Sequence, residues 1–207
     1  MNLKSIKSYR IAKYLLSNGV SSQTEISKET KAAIGYVNEV LHYLEDLDVV
    51  RVSYGETTLL DYAKLLDKIS MDRSFKKLIK KNFRLPTWSI VETENMLKQY
   101  CIDNKIGYAF TGFSGLRRFY EYHISYPLVH VYIRDPDALD DLGRGEGAIP
   151  VMALKPDRPD IFLDSFGVDD TVVCEKIQVL IDLYSSGLGR DAAIRFYRDM
   201  VWKGETY

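Results

Sequence analysis

The chain is poor in cysteine and histidine and has no long apolar run. Its 207 residues hold two cysteines, Cys101 and Cys174, far apart and without a histidine at ligand spacing. That spacing argues against a zinc ribbon or a disulfide-stapled scaffold and points to a reducing, cytoplasmic setting. The three histidines, His42, His123 and His130, show no metal-ligand spacing either, so no metal is expected. No segment approaches the ~20 consecutive apolar residues of a membrane helix. The first residues, MNLKSIKSYRIAKYLL, have neither the continuous apolar core nor the small-residue cleavage site of a signal peptide. There is no P-loop and no GxGxxG, and GRGEG at 143–147 reads as a polar turn because no strand runs directly into it. No cofactor is expected on these grounds.

Against these absences stand 46% hydrophobic and 28% charged residues, a balance that a folded chain carries and a disordered one does not. The formal net charge of −1 is unevenly distributed. Residues 1–84 hold 15 basic and 10 acidic groups, while residues 85–207 hold 13 and 19. Such a split predicts one part that meets phosphates and one that does not.

The N-terminal segment SIKSYRIAKYLLSNG places apolar residues at helical intervals and stops at Asn18-Gly19. Ser22-Gln23-Thr24-Glu25 is a capping-box pattern, in which a serine hydroxyl accepts from the glutamate amide and the carboxylate reaches back. It predicts a short helix, QTEISKET. A tight link through Lys31 and Ala32 leads to AIGYVNEVLHYLEDL, where Ile34, Val37, Leu41 and Leu44 are predicted to form one apolar face. Two helices joined so closely predict a helix-turn-helix whose second helix enters the major groove. VVRVS and TTLLD, joined through Tyr54-Gly55-Glu56, predict a hairpin, or wing. The expected DNA contacts are Lys31, Ala33, Tyr36, Asn38 and His42 from the turn and second helix, with Arg51 from the wing. Asn38 suits an adenine edge and Tyr36 a base or phosphate, while Lys31 and Arg51 suit phosphates. Residues 61–84 read as a helical connector whose basic end, with Lys76, Lys77, Lys80 and Lys81, is either a solvated face or a phosphate-contacting extension.

Leu85-Pro86 marks the expected boundary of a C-terminal domain. TWSIVE, YAFTG, LVHVYIR, IPVMAL, DIFLDSF and TVVC read as strands. ETENMLKQYCIDN, SGLRRFYEY, EKIQVLIDLYSSG and GRDAAIRFYRDMVW read as helices. The expected class is therefore α+β: a winged helix-turn-helix over 1–60, the connector over 61–84 and a mixed α/β domain over 85–207.

In this second half, Tyr108-Ala109-Phe110-Thr111-Gly112-Phe113-Ser114-Gly115-Leu116 resembles the TG-x-S/A segment of the AbiEi-type antitoxin family. Gln178-Val179-Leu180-Ile181-Asp182-Leu183, followed by Gly187, Gly189-Arg190 and Asp191-Ala192-Ala193, resembles that family's C-terminal signature. The resemblance implies an N-terminal winged helix, repression of the protein's own operon and neutralisation of a nucleotidyltransferase-like toxin. Arg117 and Arg118, following the TGFSG turn beside Phe119 and Tyr120, are the expected partner-binding residues, the alternative being solvated arginines over an inward-packed apolar face. Duplex DNA is the expected first partner, and a homodimer is left open.

A different class of function stays in view, that of a nucleotidyltransferase-like enzyme with an accessory winged helix. Gly112-Phe113-Ser114 follows a strand, and Asp135, Asp137 and Asp164 are nearby carboxylates of the kind that hold metal on a triphosphate. Pro136 between the first two places them in a turn, and Gly-Phe-Ser lacks the adjacent Gly-Ser pair, so enzymatic activity is not expected. A winged helix that docks a protein is the third reading.

Overall fold

The computed structural model describes residues 1–121, 128–143 and 145–201. The described residues include helices and a mixed sheet, an α+β protein as expected. The chain forms two compact units. One comprises Met1–Ser74 together with Ile194–Tyr207, and the other Phe75–Ala193.

The first unit opens with helix α1, Ile6–Asn18, capped by the Ser5 hydroxyl accepting from the Ser8 amide. Gly19 ends it at φ 72°, a left-handed conformation that glycine adopts without penalty, and its amide returns to the Leu15 carbonyl. A two-residue strand β1, Val20–Ser21, precedes α2, Gln23–Thr30. The predicted capping box is present, with the Glu25 amide donating to Ser22 Oγ at 3.2 Å and the Ser22 amide to Glu25 Oε2 at 2.8 Å. Helix α3, Ile34–Glu45, follows, then a hairpin of β2, Val50–Ser53, and β3, Glu56–Leu59. The three strands pair antiparallel in the order β1-β3-β2. Helix α4, Tyr62–Asp72, is capped by Asp61. Val37, Val40, Leu41 and Leu44 of α3 are buried, as are Leu65, Leu66 and Ile69 of α4. The chain's later residues complete this unit. The Tyr197 hydroxyl donates to the Leu16 carbonyl at 3.0 Å, and its ring meets that of Tyr62 at 4.3 Å.

The second unit begins with a single turn, α5, Phe75–Leu78, running into β4, Ile79–Arg84. The helical connector expected over 61–84 is thus corrected, because its last six residues are a strand. β4 pairs antiparallel with β7, and a register shift between Ile79 and Lys81 marks a bulge. Helix α6, Ile90–Asp103, β5, Tyr108–Thr111, α7, Gly112–Phe119, and β6, Val129–Ile133, come next. A 3-10 turn at Pro136–Leu139 leads to β7, Pro150–Leu154. DIFLDSF, expected as a strand, divides into the short helix α8, Asp160–Leu163, and β8, Phe166–Val168. β9, Thr171–Val173, α9, Lys176–Ser185, and α10, Arg190–Phe196, follow, the last passing into a π turn at Tyr197–Val201.

The six strands lie in the order β4-β7-β6-β5-β9-β8, with β7–β6 and β5–β9 parallel and the other pairs antiparallel. Alternation along the strands sends two sets of side chains to opposite faces. Phe83, Val151, Val129, Val131 and Phe110 belong to a core shared with Leu97 and Cys101 of α6. The opposite face carries His130, Tyr132 and Thr111. Asp182 on α9 accepts from both Thr111 Oγ1 (2.7 Å) and the Tyr132 hydroxyl (3.0 Å), which ties that helix to two strands.

The residues that carry the antitoxin resemblance meet here. Gly112 takes φ +52°, and a Cβ on it would collide with the His130 ring. A Cβ on Gly115 would lie 2.6 Å from a Val179 methyl, so the glycine permits α7 to lie close to α9. Thr111, Gly115, Val179 and Asp182 are all buried, which makes these motifs packing elements.

Candidate nucleic-acid interface

The turn between α2 and α3 is set by Lys31, which takes the left-handed conformation φ 55°, ψ 32° and stands exposed. The Ser27 hydroxyl donates to the Ala32 carbonyl at 2.7 Å and holds the turn from inside. Ala33, also exposed, occupies the N-cap of α3 without a side-chain hydrogen bond.

On α3 itself, Ile34, Asn38 and His42 fall four residues apart and are all exposed, forming one ridge along the helix. Ile34 was expected on the buried face; it is 53% exposed. The reason is angular: Val37, Val40, Leu41 and Leu44 already fill the inward stripe, and Ile34 lies at its margin in the first turn. Gln23 Nε2 donates to Asn38 Oδ1 at 3.2 Å, a partner the sequence reading missed. His42 lies 3.3 Å from Glu45, whose other oxygen accepts the Val52 amide at 2.8 Å, so Glu45 is engaged with β2. Tyr36 does not share the ridge. It is half-buried, with its hydroxyl 3.1 Å from Ser5 Oγ at the start of α1. Arg51 is exposed on β2, and Tyr54 stands fully exposed in the hairpin turn.

The basic segment belongs to the second unit. By sequence, the first unit holds 13 lysines and arginines against 12 aspartates and glutamates, and is close to neutral. Lys76, Lys77 and Lys80 are exposed and without a carboxylate partner among the described residues. Lys81 differs, being 2.6 Å from Asp140 and 3.7 Å from Asp137 with its side chain 14% exposed. Asn82 and Arg84 point outward from the same edge strand. Beside them an open cleft of about 650 Å³ is lined by Asn82, Phe83, Arg84, Gly145, Pro150 and Met152. A lysine-rich edge of this kind also disfavours pairing of the strand with another chain.

Arg117 and Arg118 are partly exposed but paired. Both guanidiniums reach the buried Glu94 carboxylate of α6, at 2.5 and 3.2 Å, and join α7 to it. The acidic residues weighed for metal chemistry sit in turns. Asp135 caps the 3-10 turn and accepts from the Asp137 amide, Asp137 is exposed, and Asp164 ends α8. Ser114 is buried with its Oγ accepting the His130 amide at 3.3 Å. His123 lies outside the described residues. No helix among the described residues is long and apolar enough to cross a membrane.

No family model, curated protein or solved structure matches the chain. The functional reading therefore rests on the surface of α3 and the lysines of α5 and β4.

Proposed function

We propose that this chain is a sequence-specific duplex-DNA-binding regulator. Its first unit reads as a winged helix-turn-helix, with α3 as the recognition helix and β2–β3 as the wing. The observation that carries the reading is the uncovered ridge of α3, three side chains at four-residue intervals, preceded by the left-handed turn at Lys31. A helix of that kind fits the major groove, while Lys31, Arg51 and the unpaired lysines of α5 and β4 suit phosphates. The resemblance in the second unit extends the proposal to an AbiEi-like antitoxin of the cytoplasm that represses its own operon and counters a nucleotidyltransferase-like toxin.

Titration of the full chain into labelled duplex DNA at several salt concentrations tests this. Log affinity is expected to fall linearly with log salt, at about −0.9 per phosphate neutralised. Absence of duplex affinity at low salt overturns the proposal.

A further inference from the structure

We infer that Ile34 and Asn38 together read a thymine methyl group and an adenine edge, and that Gln23 sets Asn38 for that task. The inference rests on the DNA-binding reading and names what its recognition helix recognises.

The first turn of α3 is apolar. Ala33, Ile34 and Gly35 are all exposed, and none carries a charge or a side-chain hydrogen-bonding group. An isoleucine left 53% exposed gains nothing from water. In the major groove the apolar group that such a side chain can cover is the C5-methyl of thymine. Ile34 lies at the N-terminal end of the ridge, the part of a recognition helix that reaches base edges.

Asn38 follows one turn later on the same ridge. An asparagine reads adenine with two hydrogen bonds, its Oδ1 accepting from the base's amino group and its Nδ2 donating to N7. Gln23 Nε2 already donates to Asn38 Oδ1 at 3.2 Å. An amide oxygen has two lone pairs, so one stays available for adenine. The Gln23 bond also tethers the Asn38 side chain to α2. One helical turn advances about 5.4 Å, against about 3.4 Å per base step, so the thymine and the adenine are one or two base pairs apart. Glu39, exposed on the adjacent side of the helix, adds a negative charge that disfavours a guanine N7/O6 edge there.

The test begins with selection of bound sequences from a random duplex pool by the full chain. The preferred duplex is then remade with deoxyuridine in place of each thymine in turn, which removes only the methyl group. At one position the wild-type protein is expected to lose about fourfold in affinity, the worth of one buried methyl. Ile34→Ala, a change at an exposed site, is expected to bind both duplexes equally. Gln23→Ala is expected to relax the adenine preference as Asn38→Ala does, while duplex binding persists. Salt-dependent binding with no uracil discrimination, or discrimination that survives Ile34→Ala, overturns this inference and leaves the regulator reading standing. Loss of all duplex affinity overturns both, and capture of a protein through Ile34 in place of DNA would then assign the ridge to a protein partner.

Discussion

Arg117 lies 2.5 Å from Glu94, a carboxylate only 3% exposed, and so ties α7, whose first residues are the GFSG of the TGFSG motif, to α6. Arg118 takes the other oxygen. Removing both arginines leaves Glu94 buried without a counter-charge. Because Arg117 is 35% exposed and partly screened, the expected loss for Arg117→Ala with Arg118→Ala is toward the low end for a broken buried pair, roughly 2–4 kcal/mol. Urea unfolding checks it. Adding Glu94→Gln to the double variant is expected to recover part of the loss, which simple loss of arginine packing would not show.

The contact of Gly115 with α9 gives a second expectation. Gly115→Ala places a methyl 2.6 Å from Val179 Cγ2 and is expected to cost about 1–3 kcal/mol through overpacking. Val179→Ala alone leaves a cavity and destabilises as well. The two together are expected to cost less than their sum, with a coupling of about 1 kcal/mol in a double-mutant cycle.

Acid is expected to weaken the protein through His130. Its ring is fully buried between Phe75 and Phe113, and both ring nitrogens are without a hydrogen bond among the described residues. Burial pushes its pKa from 6.5 down to about 4, against the opposing pull of the Asp182 charge. An unfolded histidine binds its proton near pH 6.5, whereas the folded one stays neutral until about pH 4. Stability from this group is therefore complete above pH 6.5 and declines as pH falls toward 4, by roughly 3 kcal/mol in all. His130→Leu is expected to flatten the curve over that interval in unfolding measured at a series of pH values.

The lysines of α5 and β4 should separate by their partners. Lys76→Ala, Lys77→Ala and Lys80→Ala are each expected to weaken duplex binding for all sequences alike and to lower the salt slope by about 1. Lys81→Ala is expected to change affinity least, because Asp140 and Asp137 already neutralise it. Equal losses at all four positions would show that the ion pair opens on binding.

Which elements were legible follows from which signals are local. Ser22 and Glu25 identify α2 because a capping box is complete within four residues. The same pattern recurs at Ser89 and Glu92, where it starts α6, yet TWSIVE reads as a strand because Ile90 and Val91 are β-branched. Here the caps, with the Ser89 and Trp88 amides donating to Glu92, outweigh intrinsic preference. β4 was hidden for the opposite reason. IKKNFR shows no apolar alternation, since its outer face is polar and its identity depends on pairing with β7, some seventy residues later. At the site, the exposure of Lys31, Asn38 and Arg51 was readable from their place around the turn and hairpin. The Gln23–Asn38 bond and the Glu94 clamp were not, because each depends on how two helices lie side by side.

The first unit is built from two stretches far apart in the chain, with Tyr197 bonded to Leu16 across an intervening stretch of 180 residues. On a ribosome the second unit is therefore fully synthesised before the first has all its parts. The α+β sheet can form while α1 still awaits Phe196 and Tyr197, both of which end fully buried. A chain lacking those residues would carry α3 on an incompletely packed support.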